Sequence, residues 1–166
     1  MDGKMKKVSD SSVVLAQIML PADTNPAGSV HGGTIMKLID NAAYVVASRH
    51  TGKNCVTASI DRLDFHWPVF LGNLVLLRAS INRAGRTSME VGVRVEAEDL
   101  LTGEVRHTAS AYLTFVALDS AGHPVLVPEL SAETEEDKRR LLDANERFRI
   151  RKEAPRKSLA GSGVKA

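Results

Sequence analysis

The sequence has a single cysteine, Cys55, so no disulfide can form within the chain. Cys55 stands among strand-forming residues and reads as a buried, inert thiol rather than a nucleophile. No group of Cys and His has metal-ligand spacing, so no bound metal is expected. No internal repeat is visible, which excludes a solenoid. Charge of one sign is missing too: 22 Lys and Arg face 20 Asp and Glu, a net of +2. That balance carries no signature of nucleic-acid binding or of a membrane surface. Met1 to Asp10 is polar and basic with no apolar core behind it, so no secretory signal is read there and a cytoplasmic, reducing location is expected.

What remains is ordinary globular material, 166 residues with 43% hydrophobic and 25% charged content, enough for one domain with a real core. The chain is organised around Val30 to His50, where Gly32-Gly33 opens a long apolar run that Thr51-Gly52 stops. At helical period, Ile35, Met36, Leu38, Ile39, Ala42, Ala43, Val45, Val46 and Ala47 cover nearly every side, the pattern of a core helix. Lys37 and Asp40 interrupt it, and it falls short of the about 20 apolar residues that span a bilayer. Asp40 is the anomaly, since a carboxylate in a buried helix is costly unless paired or solvated by a cleft. It lies near a helix start whose free N–H groups can bind a carbonyl oxygen or an anion, which makes it a candidate active-site residue. The alternative is that Asp40 shares one wet stripe with Lys37.

Around this helix the chain reads as strands. Met1 to Ser11 is expected to be a disordered arm, and Ser12 to Leu20 a first strand. Pro21 to Gly28 is a turn-rich loop that leads Asn25 toward Gly32-Gly33. Cys55 to Phe65, Leu74 to Ile81, Ser88 to Ala97 and Val105 to Leu118 follow as strands, separated by turns at Gly72-Asn73, Ala84-Gly85-Arg86 and Thr102-Gly103. In the third of these, Met89, Val91, Val93 and Val95 alternate with Glu90, Arg94 and Glu96, which predicts one buried face. Ser131 is placed as the cap of a helix that begins at Glu133 with acid and ends with Arg149, Arg151 and Lys152, as the helix dipole favours. Leu141, Ala144 and Phe148 give it a narrow docking stripe. Residues 154–166, rich in Pro, Ser, Gly and Lys, are expected to be disordered. The order is α+β: an antiparallel sheet wrapped around a long central helix, with an extra C-terminal helix.

Leu20-Pro-Ala-Asp-Thr-Asn-Pro-Ala-Gly-Ser-Val-His-Gly-Gly33, followed by Lys37-Leu-Ile-Asp40, resembles the hot-dog-fold acyl-CoA thioesterases, in particular the cytosolic acyl-CoA hydrolase branch. The likeness continues through Val56-Thr-Ala-Ser-Ile-Asp61, Phe65-His-Trp-Pro68, Gly85-Arg-Thr-Ser-Met-Glu90 and Thr114-Phe-Val-Ala-Leu-Asp119. It implies a single hot-dog domain over 12–130 and a C-terminal helix over 131–153. It further implies a homodimer at minimum, with tetramers or hexamers built from dimers, because mammalian relatives carry two such domains in tandem. The implied substrate is acyl-CoA, with no separate cofactor, since coenzyme A is part of the substrate and a product.

By the same resemblance Asp40 is the general base or nucleophile, Asn25 acts beside it from across the dimer interface, the Gly33 backbone N–H donates to the thioester oxygen, and Gly32 is among the residues that bind the substrate. Thr57 and Ser59 are expected beside the helix, against the pantetheine arm or as ordinary strand hydroxyls. Gly85, Arg86 and Ser88 resemble the turn that contacts the coenzyme A nucleotide, with a plain hairpin as the alternative. His31 is read as a structural loop residue rather than a catalytic one. Tyr44 either bonds to Asp40 or lines the acyl pocket. Arg147, Arg149, Arg151 and Lys152 either meet the coenzyme's phosphates or form a solvated helix end. Two other functions remain open at this level: a non-catalytic acyl-CoA sensor, and a hot-dog dehydratase, whose catalytic histidine motif is not found here.

Overall fold

The computed structural model describes residues 5–153. Five strands, β2 (Val13–Ile18), β3 (Asn54–Phe65), β4 (Leu74–Ala84), β5 (Ser88–Glu98) and β6 (Val105–Leu118), form one antiparallel sheet in the order β2-β4-β5-β6-β3. Helix α1 (Gly32–Thr51) lies in its curve. The inward residues are those the period-two pattern selects: Leu77 and Ile81 of β4, Met89, Val91 and Val95 of β5, and Leu113 and Phe115 of β6 are all buried. They meet Ile35, Ile39, Ala42, Ala43, Val46 and Ala47 of α1, also buried. Three alanines on that stripe let the helix backbone approach the sheet closely. The helix stops at Gly52, whose φ of 66° suits glycine and whose N–H donates to the Ser48 carbonyl at 2.8 Å. This is the expected hot-dog arrangement, with strands at the predicted places and small differences at their ends.

Four expectations need correction. Residues 6–11, read as part of a disordered arm, are packed instead. β1 (Lys6–Lys7) pairs in parallel with β7 (Leu130–Ser131), a 3-10 turn spans Val8–Asp10, and Val8 and Ser11 are buried. Helix α2 (Glu135–Glu153) begins later than Glu133 and is capped by Thr134, not Ser131. Thr134 Oγ1 accepts the Asp137 N–H at 3.0 Å, while the Asp137 carboxylate accepts the Thr134 N–H at 3.0 Å, a reciprocal capping box. The outer face of β5 is wet only in part: Arg94 is exposed, as the alternation predicts, but Glu90 is buried under α2 beside Arg147, 2.6 Å away.

The fourth concerns α1. Although apolar on most sides, it leaves Met36 and Tyr44 exposed in the single chain, next to the outer edge of β3. That edge pairs with no strand among the described residues, and Val56, Ile60 and Phe65 along it are exposed. No helix among the described residues is long and apolar enough to cross a membrane. The expected disordered tail at 154–166 lies outside the described residues.

Candidate active site

Asp40 sits halfway along α1 on the stripe left uncovered by the sheet, between exposed Lys37 and Tyr44 and half-buried itself. Its solvation therefore comes from lying on the open side of the helix, as the wet-stripe alternative anticipates for a single chain. The carboxylate is nevertheless aimed, because Thr57 Oγ1 on β3 donates to Asp40 Oδ1 at 2.6 Å. A hydroxyl bond to a charged oxygen is short and directional, and it fixes one carboxylate oxygen while leaving the other to act. Tyr44, one turn on, makes no hydrogen bond to Asp40 in the structure.

The helix start is built by backbone. His31 is an exposed N-cap whose side chain makes no cap bond; its carbonyl accepts Thr34 N–H at 3.0 Å and Ile35 N–H at 3.3 Å. The N–H groups of Gly32 and Gly33 have no acceptor among the described residues, which leaves two donors at the positive end of the helix. A side chain at Gly33 would meet nothing within 4 Å, so the space in front of it is open in the single chain. Beside Gly32 an apolar cleft of about 340 Å³ is lined by Val30, Ile35, Phe65, Trp67 and Val69.

Asn25 lies in the loop that feeds this start, and the loop is tied to it by the His31 N–H, which donates to the Asp23 carbonyl at 2.9 Å. Within one chain Asn25 does not reach Asp40. Its Nδ2 donates to Ser29 Oγ at 2.9 Å, and its Oδ1 accepts the Ala27 N–H at 2.9 Å.

Thr57 and Ser59 part company. Residues two apart on a strand normally share a face, but a register shift between them inserts Ala58. Thr57 stands opposite the inward Phe115 and Ser59 opposite the outward Thr114. Ser59 Oγ therefore donates to Asp61 at 2.7 Å, on the far side of the sheet from Asp40. Asp61 also accepts from Thr114 Oγ1 at 2.8 Å and from Arg151 of α2. Partial burial alone would raise the Asp61 carboxyl, but these donors from Ser59, Arg151 and Thr114 together hold it below its usual range.

Gly85, Arg86 and Ser88 form the β4–β5 hairpin, closed by the Gly85 N–H donating to the Ser88 carbonyl at 2.8 Å. Ser88 pairs with Val116, which pairs with Val56, so the hairpin lies two strands from the Thr57 end of β3, about 10 Å across the sheet. The Arg86 side chain is exposed there.

The basic helix end is not a free cation cluster. Arg147 pairs with Glu90, Arg149 with Glu146 and Glu153, and Arg151 with Asp61. Sequence reasoning did not assign roles to Asp61, Thr114 and Glu90. An outward polar residue on a strand carries no sign that a distant helix will cover it.

A helix-opened donor pair, an aimed carboxylate and a hot-dog sheet together define a thioesterase-type site, and comparison with known proteins agrees. Residues 27–104 match the family model described as the thioesterase superfamily. The uncharacterized acyl-CoA thioester hydrolase YkhA of Bacillus subtilis is 44% identical over 128 residues, covering 77% of this chain and 74% of that protein. The crystal structure of an apo-hexameric acyl-CoA thioesterase superposes with a TM-score of 0.87 at 40% identity, covering 90% of this chain and 96% of that one. The acyl-CoA hydrolase of Staphylococcus aureus, solved with butyryl coenzyme A and coenzyme A, gives a TM-score of 0.85 at 37% identity, covering 90% and 91%. That enzyme has also been solved with an asparagine, an aspartate or a threonine replaced by alanine, residues spaced as Asn25, Asp40 and Thr57 are. The chain belongs to the thioesterase superfamily, among its hot-dog acyl-CoA hydrolases.

Proposed function

We propose that the protein hydrolyses fatty acyl-CoA to free fatty acid and coenzyme A, with Asp40 as general base or nucleophile. The observation that carries this is the Thr57–Asp40 bond of 2.6 Å on the helix whose first N–H groups are free. The thioester oxygen sits against the Gly33 N–H, with Gly32 beside it. Asp40 either takes a proton from water as that water attacks the carbonyl carbon, or attacks the carbon itself and forms an anhydride that water then opens. In both routes the C–S bond breaks and coenzyme A leaves as a thiolate that takes up a proton. A positioned base contributes about 10²–10⁴ in rate, and loss of an oxyanion donor costs about 10²–10³. The acyl chain has apolar surface to cover in the cleft beside Gly32, and in this reading the exposed Arg86 on the β4–β5 hairpin meets the nucleotide end.

The active unit is at least a dimer. Exposed Met36, Tyr44 and Val56 beside an open strand edge give a second copy a surface to cover, and that copy would supply Asn25. The spacing shared with the substituted positions of the staphylococcal enzyme supports Asn25, Asp40 and Thr57 as one working set.

The test is thiol release from short- to long-chain acyl-CoAs by wild type and Asp40→Ala, with an enzyme-only blank for Cys55. Turnover that collapses in a folded Asp40→Ala variant is expected, and tight binding without turnover in wild type would replace this reading with a sensor. Mixing Asn25→Ala with Asp40→Ala should restore activity in mixed dimers; mixed dimers without activity would refute the shared site. Single turnover in oxygen-18 water separates the routes, since label in the Asp40 carboxylate requires the anhydride.

A further inference from the structure

Thr57 can aim Asp40 only if β3 holds it still, and β3 is poorly placed to do so alone. It is an edge strand, hydrogen-bonded on one side to β6, and its ladder slips twice, between Thr57 and Ser59 and between Ile60 and Arg62. Asp61 is the residue that the second slip leaves unpaired, and it gathers Ser59 Oγ at 2.7 Å, Thr114 Oγ1 at 2.8 Å and the Arg151 guanidinium. Arg151 Nη1 also donates to Thr114 Oγ1 at 2.6 Å, so β3, β6 and α2 meet at one knot. The far end of that knot is firm. Ala144 of α2 is buried, Arg147 binds Glu90 through two nitrogens, and the Arg83 guanidinium lies 3.7 Å over the Phe148 ring.

We propose that Arg151, acting through Asp61, is a positioning residue for the hydrolysis, anchoring the β3 bulge that aims Thr57 at Asp40. This rests on the reading that Asp40 does the chemistry. The C-terminal helix thereby supports the active site from the opposite face of the sheet. Hydrogen bonds weaken steeply with distance and angle, and misplacement by about 1 Å can cost up to about 10²-fold in rate.

The experiment measures kcat and KM for Arg151→Met, Arg151→Lys and Asp61→Asn, each alone and in a Thr57→Val background, with Arg149→Met as control. Arg151→Met and Asp61→Asn should lower kcat about tenfold with KM little changed. Arg151→Lys should recover most of the loss, and Arg149→Met should match wild type. With Thr57 already replaced, the Arg151 and Asp61 changes should have little further effect, because the residues act in series. Unchanged kcat in Arg151→Met and Asp61→Asn would overturn the proposal. So would equal losses with and without Thr57, or a raised KM with kcat intact, which would make Arg151 a phosphate ligand. If Arg151→Met loses its helical signal, the near-isosteric Asp61→Asn decides. A wild type without turnover, or an active Asp40→Ala, would instead remove the underlying reading and not this link.

Discussion

Replacing Arg147 by methionine tests how α2 is attached to the sheet. Glu90 is 5% exposed near the start of β5, and its carboxylate accepts Arg147 Nη2 at 2.6 Å, Arg147 Nε at 3.2 Å and Asn82 Nδ2 at 3.2 Å. In Arg147→Met only the Asn82 bond remains, and a carboxylate is left in a covered site. Breaking a fully buried pair this way costs about 3–5 kcal/mol, and a stacked cation adds about 0.5–1 kcal/mol at exposed sites. The Arg147 guanidinium does stack on Tyr112, 3.8 Å from the ring centroid. Because the Arg147 side chain is 26% exposed, water recovers part of the loss, and about 3 kcal/mol is expected. For a domain of this size that is a fall of roughly 6–12 °C in Tm. The assay is thermal and urea unfolding at fixed protein concentration, since assembly shifts apparent stability. Glu90→Leu combined with Arg147→Met should be more stable than Arg147→Met alone, because it removes the stranded charge. A loss below about 0.5 kcal/mol for the single change, or a double variant no better than it, would refute the reasoning.

Three further outcomes are expected. Gly92→Ala places a Cβ 2.5 Å from Asn82 Nδ2, pushing the amide off Glu90, so unfolding measurements should show a loss of about 1–3 kcal/mol. Thr57→Val removes the donor to Asp40 while keeping shape, so kcat should fall about tenfold or more with folding intact, and Thr57→Ser should retain most of it.

The third outcome concerns pH. Burial lowers His50 below its ordinary 6.5, against the opposing bond from its Nε2–H to the Pro128 carbonyl. The unfolded chain therefore binds the proton more readily, so this part of the stability is present above about pH 6.5 and is lost as pH falls below it. His50→Gln, which can still donate to Pro128, should flatten urea-measured stability between pH 7 and about 5.5, and an unchanged slope would count against it.

The sequence spoke clearly where one physical rule acts alone. The alternation of Met89, Val91, Val93 and Val95 follows from a pleated strand on a core, and Gly52 follows from a helix end that needs positive φ. It was silent where two distant segments meet. Lys6 and Lys7 look like a solvated arm, yet they pair with Leu130 and Ser131, and nothing local in either pair announces the other. Ser131 is a fair cap by type, but Thr134 wins because Asp137 stands three residues on to complete the exchange. Glu90 looks exposed by alternation and is buried because a helix more than fifty residues later lies on it. In the candidate site, the Asp40 position and the open helix start were visible in the spacing. The parting of Thr57 from Ser59 was not, because one extra residue in a strand leaves no mark on composition.

That extra residue has a consequence of its own. Upstream of Ala58, β3 presents Thr57 to the helix, and just downstream it presents Ser59 to the opposite surface. Ala58 is exposed, and its side chain is not needed for either task. Exchanging it for serine or lysine should therefore be tolerated, while deleting it would keep Thr57 opposite Phe115 and Ser59 opposite Thr114 and take out only the bend that the unpaired residue puts into the edge strand. What the extra residue supplies at this point of the chain is a local bend, not a side chain.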